Sequence, residues 1–165
     1  MRISTKCSTA VHALLMIAVF SPHMKITSDS IAGSVGRNPV EIRKIFAGLK
    51  KAGIIDVARG CGGTVLQRAP GEITLLDIYL AVDTLSFNEW IGIHANSSEY
   101  CPIGRNISTL LNESYEQVGD AVRKTMSAVT LGDMVEKLCR MDPDVREAWI
   151  PTQWDTDKPA PGEAL

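Results

Sequence analysis

Proline and glycine divide the first 70 residues of this 165-residue chain into short segments, which leaves room only for short helices and a tight hairpin. Pro22 ends a first segment, Gly36 a second and Gly53 a third, because proline interrupts a helix and glycine favours its C-terminal cap. Thr27 can cap the second segment. In the first segment, apolar residues recur at helical spacing at Val11, Leu14, Leu15 and Ala18. The pattern predicts three helices before residue 54.

The third segment has the clearest helical signature. Asn38 can accept hydrogen bonds from the free N–H groups at the helix start, Pro39 has no N–H to lose there, and Glu41 can reach back to complete a capping box. An apolar stripe at helical spacing follows, formed by Ile42, Ile45, Phe46 and Leu49. We therefore predict a helix that packs one face into the core and presents a cationic face to solvent.

A glycine-rich turn predicts a β-hairpin directly after the third helix. The turn at residues 59–63 reads Arg-Gly-Cys-Gly-Gly, and residues 54–58 and 64–68 on either side have the composition of strands. Helix, turn, helix and hairpin in this order form a winged helix-turn-helix. Because aromatic residues make up only 5% of the chain, aliphatic helix packing is favoured, and the expected fold class is mainly α with a small β-hairpin.

Positive charge is concentrated in this same part of the chain. Residues 1–68 contain ten Lys or Arg against three Asp or Glu, whereas residues 69–165 contain seven against sixteen. Only the N-terminal part can neutralise phosphates, so the expected partner is a double-stranded DNA operator. A basic face that is merely solvated is the alternative explanation of the same imbalance.

The second helix of a helix-turn-helix lies in the major groove, with the residues near its N-terminus facing the base edges. In this chain those residues are Asn38, Val40, Arg43 and Lys44. Arg43 is the candidate for direct readout, because its planar guanidinium can donate two hydrogen bonds to guanine, whereas Lys44 and Lys50 suit phosphate contacts. The first function predicted is therefore sequence-specific DNA binding.

The hairpin turn adds a second set of candidate contacts. Gly60, Gly62 and Gly63 allow the backbone to approach DNA closely, and Arg59 can reach the DNA backbone or a minor groove. A winged helix that binds a protein partner without specific DNA binding is the alternative function. The cations at Arg43, Lys50 and Arg59 argue against it, because a protein-binding surface has no need of them.

The longest periodic segment runs from residue 103 to residue 129. A helix of about 25 residues would be about 38 Å long and would extend beyond a small domain. Pairing with a second copy would bury its apolar stripe, so we predict a homodimer. The predicted dimerisation residues are Ile107, Leu111, Tyr115, Val118, Val122 and Met126.

These features divide the chain into four parts. We predict a winged helix-turn-helix DNA-binding domain at residues 1–84, a connector at 85–102, and the dimerisation helix with further C-terminal helices at 103–149. Thr74 and Thr130 each open a capped helix in a Thr-Leu-x-Asp sequence. Residues 150–165 carry three prolines and little apolar surface, which is typical of a disordered tail.

Other classes of protein fit the sequence poorly. The chain has no phosphate-binding glycine loop, nucleophile elbow or paired catalytic carboxylates, so we do not expect an enzyme. The apolar run at residues 11–20 is too short to span a bilayer, is interrupted by His12, and is not followed by a cleavage site. The expected location is the cytoplasm, without membrane contact.

Several stretches resemble the Rrf2 family of bacterial regulators, and especially its YwnA-like branch. The resemblance rests on residues 1–6, 31–53, 59–63, 72–77, 101–104 and 130–133. It implies a winged helix, a long dimerisation helix and repression of a small set of promoters. It also implies a recognition helix at residues 39–51 and a wing tip at 59–64, so that Pro39 and Thr64 join the candidate DNA-binding residues. Ser28, at the start of the second predicted helix, is a further candidate.

The cysteines bear on what such a regulator would sense. Some Rrf2 members hold an iron–sulfur cluster through three cysteines before the long helix; here that region has only Cys101, so we expect no cofactor and no metal. Cys101 is the first candidate for a thiol sensor, because the dipole of the following helix would favour its thiolate, and His94 could act as a nearby base. The alternatives are a structural role for Cys101 before Pro102, and contact of Cys101 with a metal or a small ligand.

Overall fold

The computed structural model describes residues 4–57, 63–83 and 91–151. Within these ranges the protein is mainly helical with one two-stranded antiparallel sheet, which confirms the predicted fold class. Ile55 pairs with Leu66 and Val57 with Thr64. The elements, in order, are α1 (Lys6–Phe20), α2 (Ser28–Val35), α3 (Pro39–Lys51), β1 (Ile55–Val57), β2 (Thr64–Leu66), a 3₁₀ turn (Pro70–Glu72), α4 (Leu75–Val82), α5 (Ile107–Ala128), α6 (Leu131–Met141) and α7 (Pro143–Ala148).

Helix α1 lies at the centre of the core. Its side chains at Ala13, Leu14 and Ile17 are fully buried, and α2, α3, α4 and α6 all pack against it. The other elements each contribute one apolar face, with fully buried side chains at Ile31, Ile42, Leu49, Ile54, Ile73, Ile78, Leu131 and Val135. A helix with apolar residues on most of its sides is stable only when it is surrounded in this way.

The predicted helix starts are confirmed by their capping hydrogen bonds. The hydroxyl of Thr27 accepts from the backbone N–H of Ser30 at 3.2 Å, and the side-chain carbonyl oxygen of Asn38 accepts from the N–H of Val40 at 2.8 Å. Glu41 does not complete a capping box; its carboxylate lies 3.9 Å from the guanidinium of Arg37. The prediction for Glu41 was wrong because a cation one helical turn away competes for the carboxylate.

The starts of α4 and α6 lie side by side. Thr74 and Thr130 form an isolated antiparallel bridge, in which the N–H of Leu75 donates to the carbonyl of Val129 and the N–H of Leu131 donates to that of Ile73, both at 2.8 Å. Each threonine also heads a capping box with the aspartate three residues later, as predicted. The bridge therefore fixes where the chain leaves the core before α5 and where it returns.

Helix α6 returns to the core formed by the N-terminal helices. Leu131 and Val135 are fully buried there, and α7 contacts both α6 and α1. His23, just after α1, lies with its ring Nε2 2.7 Å from the carbonyl oxygen of Ala148 at the end of α7. The C-terminal helices thus pack with the winged-helix part, whereas the sequence grouped them with the dimerisation helix.

Helix α5 stands outside this core. It packs against α4, and among its 22 residues only Gly119 is buried. It begins at Ile107 rather than at residue 103, because residues 101–106 form consecutive turns in which Arg105 N–H donates to the carbonyl of Cys101. Its apolar stripe is therefore present but largely uncovered.

Some predicted features lie outside the described residues. These are most of the predicted wing tip, with Arg59, Gly60 and Gly62, the first part of the predicted connector at 85–90, and residues 152–165 of the predicted tail. In the part of the chain that the structure describes, no helix is both long and apolar enough to cross a bilayer.

Gly48 sets the distance between α3 and α4, because a Cβ there would fall inside contact distance of the backbone carbonyl of Ala81. We predict that Gly48→Ala lowers the free energy of unfolding by about 1–3 kcal/mol, the usual cost of overpacking. Gly33→Ala in α2 is the matched control. Its Cβ would meet nothing within 4 Å, so it should raise stability by up to about 1 kcal/mol. Urea unfolding at one protein concentration compares the two variants. Equal changes in their free energies of unfolding would contradict the close contact between α3 and α4 at Gly48.

Candidate DNA-binding surface

Helix α3 presents its polar face to solvent because its apolar stripe is fully committed to the core. Ile42 and Leu49 are completely buried, whereas Val40 is 52% exposed and the side chains of Arg43 and Lys50 lie at the surface. On a helix, residues three and four apart line up in rows. One row contains Arg43 and Lys50, and the other contains Lys44, with Val40 between them.

A cleft lies on each side of this exposed face. The hairpin-side cleft, of about 480 Å³, is bounded by the start of α2, by α3 and by the base of the hairpin, and Ser28, Arg43 and Lys50 line it. The α1-side cleft, of about 370 Å³, lies between the start of α1 and α3, and Lys6, Arg37 and Lys44 line it. Cations therefore flank α3 on both sides.

Arg43 and Ser28, both predicted to contact DNA, meet in the hairpin-side cleft. The Nε–H of Arg43 donates to the hydroxyl of Ser28 at 3.3 Å, and its Nη2 lies 3.5 Å from a carboxylate oxygen of Asp29. Both partners of this ion pair are mostly exposed, and such pairs contribute only about 0–1 kcal/mol. The guanidinium can therefore exchange Asp29 for a base or a phosphate at little cost.

Lys50 is tied to the hairpin. Its ammonium donates to a carboxylate oxygen of Asp56 on β1 at 2.7 Å. This hydrogen bond, together with one from the backbone of Val57, holds the pKa of Asp56 below its usual value. The sequence indicated a phosphate contact for Lys50 and missed Asp56, although a carboxylate six residues after a helical lysine was the available signal.

Asn38 and Pro39 form the N-terminal end of α3. The side-chain oxygen of Asn38 is engaged in the cap, and the residue itself is exposed. Pro39 occupies the first helical position and is half-buried. Both residues therefore set the orientation of the N-terminal end of α3.

Gly63 and Thr64 attach the hairpin to the segment before α2. The N–H of Thr64 donates to the carbonyl of Ile26 at 2.9 Å, and a Cβ on Gly63 would come within 3.1 Å of the Ile26 nitrogen. Thr64 is 2% exposed, so its side chain supports the base of the hairpin, and its predicted contact with DNA stays a prediction. The alternation of Thr64, Val65 and Leu66 along the strand was the signal for this inward position.

The stripe of α5 is only partly covered. Ile107, Leu111, Tyr115, Val122 and Met126 are half-exposed, and Val118 is 47% exposed. An uncovered apolar stripe of this length on a helix normally marks an interaction surface.

Comparison with known proteins agrees with this geometry. The Rrf2 family model, described as an iron-dependent transcriptional regulator, matches residues 3–137. YwnA of Bacillus subtilis (strain 168), whose name describes an HTH-type transcriptional regulator, is 33% identical over 136 residues, which are 82% of this chain and 98% of YwnA. The chain belongs to the Rrf2 family. The predicted membership is therefore confirmed.

Solved structures share the fold of this Rrf2 protein. A transcriptional regulator from Lactobacillus plantarum is 26% identical with a TM-score of 0.69, over 88% of this chain and 97% of that one. CymR (YrzC), the global cysteine regulator of B. subtilis, is 21% identical with a TM-score of 0.60, over 81% and 95% of the two chains. At this low identity, the likeness to CymR shows only that the two proteins share a fold.

The donor set of this Rrf2 protein does not fit an iron–sulfur cluster. Such clusters are held by several cysteine thiolates, and the chain between α4 and α5 carries only Cys101. Among the residues that the structure describes, no three His, Cys, Asp or Glu side chains are grouped as a metal site would require. No step of the function is therefore derived through iron.

Cys101 has the features of a reactive thiol. It is exposed, and hydrogen bonds from the backbone N–H groups of Gly104 and Ile103 lower its pKa below the usual value. These amides belong to the turn that precedes α5, which begins at Ile107. The predicted contribution of the helix dipole stays a prediction. By contrast, burial raises the pKa of Cys7, which is half-buried.

His94 is not joined to this thiol by any described contact. Its Nε2 lies 3.2 Å from the hydroxyl of Ser97, and it lines a shallow cavity with Glu99 and Arg105. The role of His94 as a base for Cys101 therefore stays a prediction.

Proposed function

We propose that this Rrf2 protein is a sequence-specific transcriptional regulator that binds double-stranded DNA as a homodimer and represses its target promoters. The observation that carries the proposal is α3, whose exposed face lies between two cation-lined clefts. An α-helix with its side chains is about 10–12 Å wide, and the major groove of DNA is about 12 Å wide. A helix seated there has phosphates on both sides, where the cations of this protein lie.

Arg43 is the residue for base readout within this proposal. It lies in the first half of α3, the part that enters deepest into the groove in helix-turn-helix proteins. Its two partners, Ser28 and Asp29, hold the guanidinium at the surface without burying it. On binding, the guanidinium of Arg43 can turn from Asp29 to the O6 and N7 atoms of guanine, while Ser28 remains close to the DNA backbone.

The homodimer part of the proposal rests on α5. A helix of 22 residues is about 33 Å long, and this one leaves a largely uncovered apolar stripe centred on Val118. A two-fold axis across α5 would bury the stripe against the same stripe of a second copy. Two copies of α3 would then face two half-sites, and a dimer seated on a promoter would exclude polymerase.

A second candidate function, a response to thiol oxidation, is favoured by Cys101. The thiolate is the nucleophile toward peroxide, and it attacks one oxygen to give a sulfenic acid while hydroxide leaves. The turn that contains Cys101 lies just before α5, so a change there is placed to alter the pairing of two copies.

The DNA-binding proposal is tested by selecting a duplex from a random pool with the full chain and measuring its binding by anisotropy. We expect the selected duplex to bind more tightly than a random one. Arg43→Ala should lose about 1–3 kcal/mol of this discrimination for each copy bound, roughly five- to 150-fold, because a bidentate contact to guanine is removed. Arg146→Ala, an exposed arginine on α7, is the matched control and should leave the discrimination unchanged.

Stoichiometric titration of the selected duplex then tests the dimer, with two copies per duplex expected. An end point at one copy per duplex would contradict the dimer but not the proposal that the protein recognises a DNA sequence. Failure to enrich any duplex would contradict DNA reading and favour a winged helix that binds a protein partner.

The oxidation proposal predicts that hydrogen peroxide weakens operator binding and that Cys101→Ser abolishes this effect. Because the pKa of Cys101 is lowered, the midpoint of the rise in its oxidation rate with pH should lie below that of an ordinary exposed thiol. Mass spectrometry of the Cys101 peptide measures that rate. An unchanged peroxide response in Cys101→Ser, or a midpoint no lower than that of an ordinary thiol, would remove Cys101 from the role.

A further inference from the structure

The α1-side cleft brings together three cations from separate parts of the chain. Lys6 comes from the first turn of α1, Arg37 from the turn before α3, and Lys44 from α3 itself. Among the described residues that line the cleft, Glu41 supplies the one carboxylate. The cleft therefore carries a net positive charge, and only Lys44 among its cations was predicted to contact DNA.

Two of these cations lack a side-chain partner within the described part of the chain. For the side chains of Lys6 and Lys44, the described residues provide neither a hydrogen bond nor an ion pair, although both line the same cleft. Like charges that share a cleft repel each other, and that cost is relieved when an anion enters. The arrangement therefore favours an anionic ligand.

Arg37 is held in place for such a ligand. Its Nη2–H donates to the hydroxyl of Thr5 at 3.0 Å, and its Nη1 lies 3.9 Å from Glu41. One edge of the guanidinium is thereby fixed to α1 without saturating its five N–H donors. A fixed, planar guanidinium is the group best suited to a phosphate.

The position of the cleft identifies which anion it takes. Glu41 and Lys44 are three residues apart and form one row along α3, on the other side of Val40 from Arg43 and Lys50. Arg37 lies just before the helix and joins this row through its ion pair with Glu41. When Val40 faces the floor of the major groove, the two rows face opposite walls. The walls of the groove are the phosphate backbones of the two strands.

We propose that the α1-side cleft binds a backbone phosphate of one DNA strand through Lys6, Arg37 and Lys44, while the hairpin-side cleft faces the other strand. This inference rests on the proposed function and assigns Lys6 and Arg37 as positioning residues for DNA. They set how deep and at what angle α3 enters the groove, and they carry no base preference of their own.

The test uses a random 30-base-pair duplex and the selected duplex, with the full chain and a series of salt concentrations. Lys6→Gln should reduce the slope of log K against log salt by about 0.9 for each copy bound, because one phosphate contact is lost. At 0.15 M salt the affinity should fall roughly five-fold per copy on both duplexes, so the discrimination between them stays the same. Arg37→Gln should reduce the slope and the affinity by similar amounts.

Lys137→Gln, an exposed lysine on α6, is the matched control and should leave the slope unchanged. An unchanged slope in both Lys6→Gln and Arg37→Gln would overturn the inference, and the proposed function would still stand if Arg43→Ala lost discrimination. A variant that lost discrimination as Arg43→Ala does would also overturn it, because the residue would then read bases. If the unmodified chain bound neither duplex, the inference and the proposed function would both fail.

A small anion is the competing occupant of the cleft. Inorganic phosphate at matched ionic strength, followed by thermal unfolding, distinguishes it from DNA. If phosphate stabilises the unmodified chain but not Lys6→Gln, and the DNA salt slope of that variant is unchanged, the cleft binds a free anion and the DNA assignment is wrong.

Discussion

The bridge between Thr74 and Thr130 determines how the two halves of this chain can be arranged. Two backbone hydrogen bonds of 2.8 Å join the starts of α4 and α6, and each threonine also caps its own helix. The chain between them, including α5, is therefore a loop with its two ends fastened at one edge of the core. Because α6 occupies the position beside α1, α5 has no room in that core. The uncovered stripe of α5 follows from this constraint.

The same packing orients the proposed DNA-binding surface. Helix α1 lies at the centre, so α3 must turn its apolar stripe inward, and the cations of the N-terminal half are left on the opposite side. Their internal partners are exposed, as with Arg43 and Asp29, or absent from the described residues, as with Lys44. A surface of this kind loses little when its cations move to phosphates and bases.

Local features of the fold were predictable from the sequence, and features that depend on distant residues were not. Capping by Thr27 and Asn38 and the stripe of α3 depend on neighbours within one or two turns, so composition and spacing reveal them. The pairing of Glu41 with Arg37 reflects a competition between two local interactions that spacing alone does not rank. The later start of α5 reflects the turns at residues 101–106, where Gly104 and Asn106 were the available signals.

The candidate site shows the same division. Arg43 and Lys44 could be identified from their place on a cationic helix face. Lys6 could not, because only the packing of α1 against α3 brings it beside residues almost forty positions away. Thr64 was assigned to the surface by resemblance, whereas strand alternation at the base of the hairpin turns it inward.

The central claim is that α3 enters the major groove between two rows of cations, twice per DNA site. Ethylation interference on the selected duplex tests it directly, since it reports each phosphate that the protein needs. The account predicts two sets of phosphates related by a two-fold axis, each set including both strands on either side of a major groove. A single set, or phosphates along only one strand of each groove, would contradict it.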